Sequence, residues 1–132
     1  MNLNHHNMYF SASVSPSISK SLEQVMRQVE YHCFAGQCIN WIDPLYKELC
    51  LIIAEVLVLD PDTIIFTNGS KKSAFLIQEV YRQLNNEHLR VVYENFYDVS
   101  HRVHNKKAYL RTALYNAFFE IESHSVNAMC RD

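Results

Sequence analysis

Apolar residues recur at every third or fourth position along most of the chain, the spacing that gathers them on one face of an α-helix. Leu22, Val25, Met26 and Val29 follow it and predict a first helix from about Lys20 to Cys33, with Ser21 placed to cap it. Phe34 to Asp43 reads as a connection containing Gly36. Asp43 then caps a second helix, Pro44 to Leu59, with proline at the first helical position, where its missing N–H costs nothing. That helix is apolar almost all round. Lys47, Glu48 and Glu55 are its only charged residues and cluster on a narrow face, so it is expected at the centre of the core. Asp60 and Pro61 stop it.

Thr63 to Thr67 is β-branched and aromatic, and Asn68-Gly69 follows it, the pattern of a strand entering a turn. No second strand is evident, so a short extended segment or small ribbon is expected. A third helix is predicted from near Ser70, with Ile77, Val80, Tyr81 and Leu84 on one face. Asn85 or Asn86 caps a fourth, carrying Leu89, Val92, Phe96 and Val99. Asn105 caps a fifth, with Leu110, Ala113, Leu114 and Ala117 at i, i+3, i+4 and i+7. After Ile121 the sequence turns polar and the helix is expected to fray. At the other end, residues 1–20 set serines at alternate positions around Pro16 and read as a flexible Ser/Asn-rich lead, in which Met8, Tyr9 and Phe10 offer only local docking. The expected organisation is a lead over 1–20, one helical domain over 21–122 and a polar tail over 123–132.

Composition supports this picture. A chain of 132 residues suits one domain, and 48% hydrophobic residues suffice for a packed core. Only 2 glycines and 3 prolines are present, too few for a turn-rich sandwich or barrel. The fold class expected is therefore mainly α, a compact bundle of about five helices with at most a short β-ribbon near 63–67. The longest apolar run, Leu49 to Leu59, is broken by Glu55 and is too short to span a bilayer, so no membrane partner is expected. With no signal peptide read at the start and no CxxC pair among the four cysteines, a reducing cytoplasm is the natural compartment.

No catalytic constellation emerges. Two glycines cannot build a nucleophile elbow, a phosphate loop or a dinucleotide fingerprint. The carboxylates are scattered along amphipathic helices. His32, Cys33 and Cys38 lack a patterned fourth ligand, which Cys50 or Cys130 would have to supply. His5 and His6 fall in the lead, and His101 and His104 have no carboxylate at fixed spacing. Neither an enzyme nor a resident metal or cofactor is expected.

One cluster stands out: His101-Arg102-Val103-His104-Asn105-Lys106-Lys107, with Arg111 one turn beyond Lys107. Lys106 and Lys107 open a helix, where cations oppose the macrodipole at about 0.3–1 kcal/mol each. Cations placed against that preference point to an anionic partner, either phosphate or an acidic protein face; the plainer alternative is a solvated helix start. Tyr109 and Tyr115 stand where they would stack on bases or pack against the core. The candidate binding residues are Arg102, His104, Lys106, Lys107, Tyr109 and Arg111. A formal net charge of −2 for the whole chain leans towards a protein partner over a nucleic acid.

Asn105-Lys106-Lys107-Ala108-Tyr109-Leu110-Arg111-Thr112-Ala113-Leu114-Tyr115-Asn116-Ala117 resembles the signature segment of a domain family at the C-terminal end of plasmid and mobile-element replication initiator protein A in Gram-positive bacteria. Asn86-Glu87-His88-Leu89, Gln28-Val29-Glu30-Tyr31 and Asp62-Thr63-Ile64 resemble further stretches of it, in the same order. The resemblance implies a helical module similar to the DnaD-like domains of primosome proteins, contacting host replication proteins such as a primase or helicase loader. In that family a separate winged-helix domain binds origin DNA; no such pattern is read here, and origin recognition is not carried over. The chain also departs from the family at Ile65-Phe66-Thr67-Asn68 and at His32. Direct DNA contact through residues 101–111 and self-association both stay open, as does whether the chain is a fragment of a longer initiator or a stand-alone relative.

Overall fold

The computed structural model describes the backbone of residues 16–29 and 44–131 and the side chains of 17–29 and 44–121. The expected connection over 34–43, and His5, His6, His32, Cys33 and Cys38, lie outside the described residues. Five α-helices and one two-stranded antiparallel ribbon make a mainly α fold among those described. In chain order they are α1 (Pro16–Gln28), α2 (Pro44–Leu57), β1 (Ile64–Thr67), β2 (Ser70–Ser73), α3 (Ala74–Tyr81), α4 (Asn86–Val99), a 3₁₀ turn (Ser100–Arg102) and α5 (Lys106–Arg131). None of these helices is long and apolar enough to cross a membrane.

α2 is the centre, as its all-round apolar surface requires. Leu49, Cys50, Ile53 and Ala54 are fully buried. α1 lies along α2, α4 lies along α5, and α2 touches α3, α4 and α5. Leu22, Val25 and Val29 bring one face of α1 into this core, and Leu110, Leu114 and Ala117 bring one face of α5. The periodicities predicted both stripes.

The helix ends differ from expectation for identifiable reasons. α1 starts at Pro16, not Lys20, so residues 16–20 belong to the helix and not to a flexible lead. Proline favours the first helical position. Ser21, expected as the cap, is buried mid-helix and donates to the Ala54 carbonyl at 3.1 Å. α2 stops at Leu57, two residues before the expected end. The buried Gln78 amide donates to the Val56 and Leu59 carbonyls, both at 2.9 Å; it answers the Leu59 carbonyl just past the helix end and adds a second donor at Val56, which also accepts from the Leu59 N–H at 3.2 Å. Gln28 does the same for α3, donating to the Tyr81 and Leu84 carbonyls at 2.9 and 2.7 Å.

The ribbon has a second strand that the sequence pattern hid. Ser70-Lys71-Lys72-Ser73 pairs with Ile64–Thr67, and Thr67↔Ser70 closes the turn. Asn68 and Gly69 both take positive φ, 55° and 83°, which a tight primed hairpin turn demands. α3 therefore begins at Ala74 and not near Ser70, with the Ser73 side chain accepting from the Leu76 N–H. α4 is capped by Asn85, whose own N–H is taken by His88 Nδ1 at 3.0 Å, so a histidine occupies the glutamate place of a capping box. α5 continues to Arg131, so its backbone does not end near Ile121.

Candidate functional site

Asn105 opens α5 as its spacing predicts: its side chain accepts from the Ala108 N–H at 3.1 Å. The two lysines that follow sit in the unfavourable first turn, and the fold supplies their counter-charges from α2. Lys106 Nζ is 2.9 Å from Glu48 Oε1, and Lys107 Nζ is 2.7 Å from Glu55 Oε1. Glu48 and Glu55 are seven residues apart, two helical turns, and so share one face of α2. Adjacent lysines diverge by about 100° around α5, so each reaches a different carboxylate. Lys106 Nζ also lies 5.7 Å from the centre of the Phe96 ring, a cation–π distance.

Arg111 stands one turn past Lys107 and is half-buried. Its carbonyl accepts from the Tyr81 hydroxyl at 2.7 Å. Its guanidinium has no carboxylate within ion-pair distance among the described residues. Burial pushes the Tyr81 phenol far above its usual range, and the Arg111 charge only partly opposes that. Burial also pushes the Cys50 thiol up to about 12, the reverse of what a nucleophilic cysteine needs.

Five of the six candidate residues fall on two separate surfaces, and Lys106 on neither. Lys107 and Arg111 line a groove of about 320 Å³ with Glu55. Its walls are otherwise apolar: Ile18 from α1, Ile52 and Val56 from α2, Val58 and Leu59 just beyond α2, and Ile65 from β1. Arg102, His104 and Tyr109 border an open depression with Val99, Val103 and Asn105, around the 3₁₀ turn. Tyr109 is about 200° around α5 from Lys107, which is why the two groups part. Its ring packs 5.9 Å from that of Phe96, half-buried, and Lys72 Nζ sits 5.5 Å from the Tyr115 ring. Lys106 faces neither depression's lining and is held on Glu48 and Phe96.

The groove was not legible from spacing. Ile18 reads as part of the lead, and Val58 and Leu59 read as the end of a buried helix; Leu59 is 37% exposed because α2 has already stopped. A second surface also escaped. The outward face of β1 exposes Ile64 and Phe66, the latter at 64%, with Lys71 opposite it. The ribbon is tied to α5 by the Asn68 N–H donating to Thr112 Oγ1 at 3.1 Å and by Asn116 Nδ2 donating to Asn68 Oδ1 at 3.2 Å. Among the described residues, no three His, Cys, Asp or Glu side chains group as metal ligands would.

Comparison with known proteins returns a family and nothing beyond it. Neither the curated proteins nor the solved structures contain a match. Residues 10–132 match the profile of a family of unknown function, DUF6017, which spans all but the first residues of the chain. The chain belongs to the DUF6017 family.

Proposed function

We propose that this chain is a non-catalytic interaction domain of a plasmid or mobile-element replication initiator, working in the cytoplasm on host replication proteins such as a primase or helicase loader. One observation carries the interaction reading: Lys106 and Lys107, each half-exposed, are ion-paired to α2, and Lys107 and Arg111 line a groove with apolar walls. Lys106 and Lys107 are paired with Glu48 and Glu55, and the space beside Lys107 and Arg111 is walled by aliphatic side chains. A phosphate backbone needs unengaged cations along a track. A protein partner needs an apolar anchor site with a polar rim. The class of partner rests on the resemblance of residues 105–117 to the initiator segment.

Direct nucleic-acid binding is the second reading, and the exposed Arg102 and His104 beside Tyr109 favour it. Surface-captured chain tested against purified primase, helicase loader and short DNA separates the two. The proposal expects one of the proteins to bind and its affinity to change little between about 50 and about 200 mM salt. DNA binding that falls steeply over that range, with neither protein bound, would replace it.

A further inference from the structure

We infer that the groove between the start of α1, the end of α2, β1 and the first turns of α5 takes an acidic amphipathic peptide segment of a protein partner, with a large apolar side chain in the trough and a carboxylate on Arg111. The inference rests on reading the chain as a protein-interaction domain and adds the chemistry of what it binds.

Charge defines the occupant. Among the described residues the groove's charged lining is two cations and one carboxylate, and Glu55 is taken by Lys107 at 2.7 Å. Arg111 is left with a half-buried guanidinium against aliphatic walls and with no carboxylate at ion-pair distance among the described residues. Guanidinium is the cation that a carboxylate meets in bidentate fashion, and partial burial strengthens the pair. The trough has room for one large side chain, the anchor on which small interfaces depend. Residues 1–15, the stretch of this chain that leads into α1 beside the groove, contain no Asp or Glu and so cannot answer Arg111. A nucleic-acid backbone would match the guanidinium and leave the aliphatic walls unused. A long-chain carboxylate shares the chemistry. However, Val58 and Leu59 are 39% and 37% exposed, and the volume sits at the low end of the roughly 300–1,000 Å³ usual for small-ligand sites. A peptide segment covers such a half-open wall with its flanking residues, which a lone acyl chain does not have.

The test selects a displayed library of short random peptides on the full chain, then uses a synthetic copy of the enriched sequence as the probe. Enriched sequences should share a large apolar residue within about one helical turn of an Asp or Glu. The probe should shift the methyl resonances of Ile18, Ile52, Val58 and Ile65. Changing its acid to the amide, or Arg111→Gln in the chain, should each weaken binding at least about tenfold, without adding when combined. Arg111→Lys should retain part of the affinity. Leu59→Ser, at a partly exposed wall position, should weaken the same probe and serves if Arg111→Gln lowers the melting temperature. The inference is overturned by no enrichment, by enriched sequences without an acid, by shifts confined to the Ile64 face of the ribbon, or by dodecanoate producing the groove shifts at lower concentration than the peptide. A purified primase or helicase loader that still binds after both Arg111→Gln and Leu59→Ser would keep the interaction-domain reading and remove the groove alone.

Discussion

On either side of Asn105 the chain carries the same kinds of residue into opposite surroundings. Arg102 and His104, before it, border an open depression around a 3₁₀ turn and are exposed. Lys106 and Lys107, after it, lie in the first turn of α5 against α2 and meet Glu48 and Glu55. A run that reads as one basic patch is thus two surfaces, because a helix start turns successive side chains by about 100° and only one side of α5 faces α2. Cations set against the macrodipole read as pointing to an anionic partner; for Lys106 and Lys107 the fold sets a carboxylate of its own against each. What distinguishes a paired cation from an open one here is whether a carboxylate stands across the helix interface.

The comparison can be broken or sharpened by substitution. The largest effect belongs to the inner stripe of α5, which fixes how that helix sits on α2. Leu114 is fully buried, and Leu114→Ala should lower unfolding free energy by about 2–5 kcal/mol in denaturant titration. Gln78→Leu should cost about 1–3 kcal/mol, because it leaves the Leu59 carbonyl without its donor at the end of α2 and the Val56 carbonyl with only the Leu59 N–H. The ion pairs come next. Lys107→Gln should cost at most about 1 kcal/mol, since the lysine is half-exposed. Lys107→Glu should cost more than Lys107→Gln, although glutamate suits a helix start, because it faces Glu55; the same reversal made together with Glu55→Lys should recover the difference. Smallest are Arg102→Ala and His104→Ala, expected within about ±0.5 kcal/mol by melting. If those two proved as costly as Lys107→Glu, the division into a structural and an open side would fail.

Chemical reactivity offers a separate check on the non-catalytic reading. With its thiol pushed up to about 12 by burial, Cys50 should resist iodoacetamide at neutral pH in the folded chain and react in denaturant, as peptide mass spectrometry would show. Because the folded value lies above the ordinary thiol value of 9.0, this group's stability contribution is intact below pH 9.0 and is lost as pH rises towards about 12.

Where apolar periodicity was strong, the fold could be read directly: the stripes of α1 and α5, the central place of α2 and the Asn105 cap all follow from spacing. Where tertiary partners decide, it could not. Ser70-Lys71-Lys72-Ser73 has no strand-forming residue, and it becomes a strand because β1 and the Asn68-Gly69 turn hold it in register, with Lys72 Nζ donating to the Thr67 carbonyl at 2.8 Å. Gln78 and Gln28 look like surface polar residues, yet each ends a helix that is not its own. The pairing of Glu48 with Lys106 spans nearly half the chain, and no local pattern announces it. The groove depends on the same kind of distant arrangement, since its walls come from α1, α2, β1 and α5.

The most direct test of the central claim, that this is a protein-interaction domain whose helix-start lysines are engaged internally, is a salt titration of DNA binding by fluorescence anisotropy. Short single-stranded and duplex DNA would be titrated with the full chain between about 50 and about 200 mM salt, before and after the paired change Lys106→Gln with Lys107→Gln. The account predicts weak binding, a log–log slope no steeper than about one phosphate contact, and no change with the paired substitution. A slope equivalent to about two or more contacts that flattens when the two lysines are removed would contradict it.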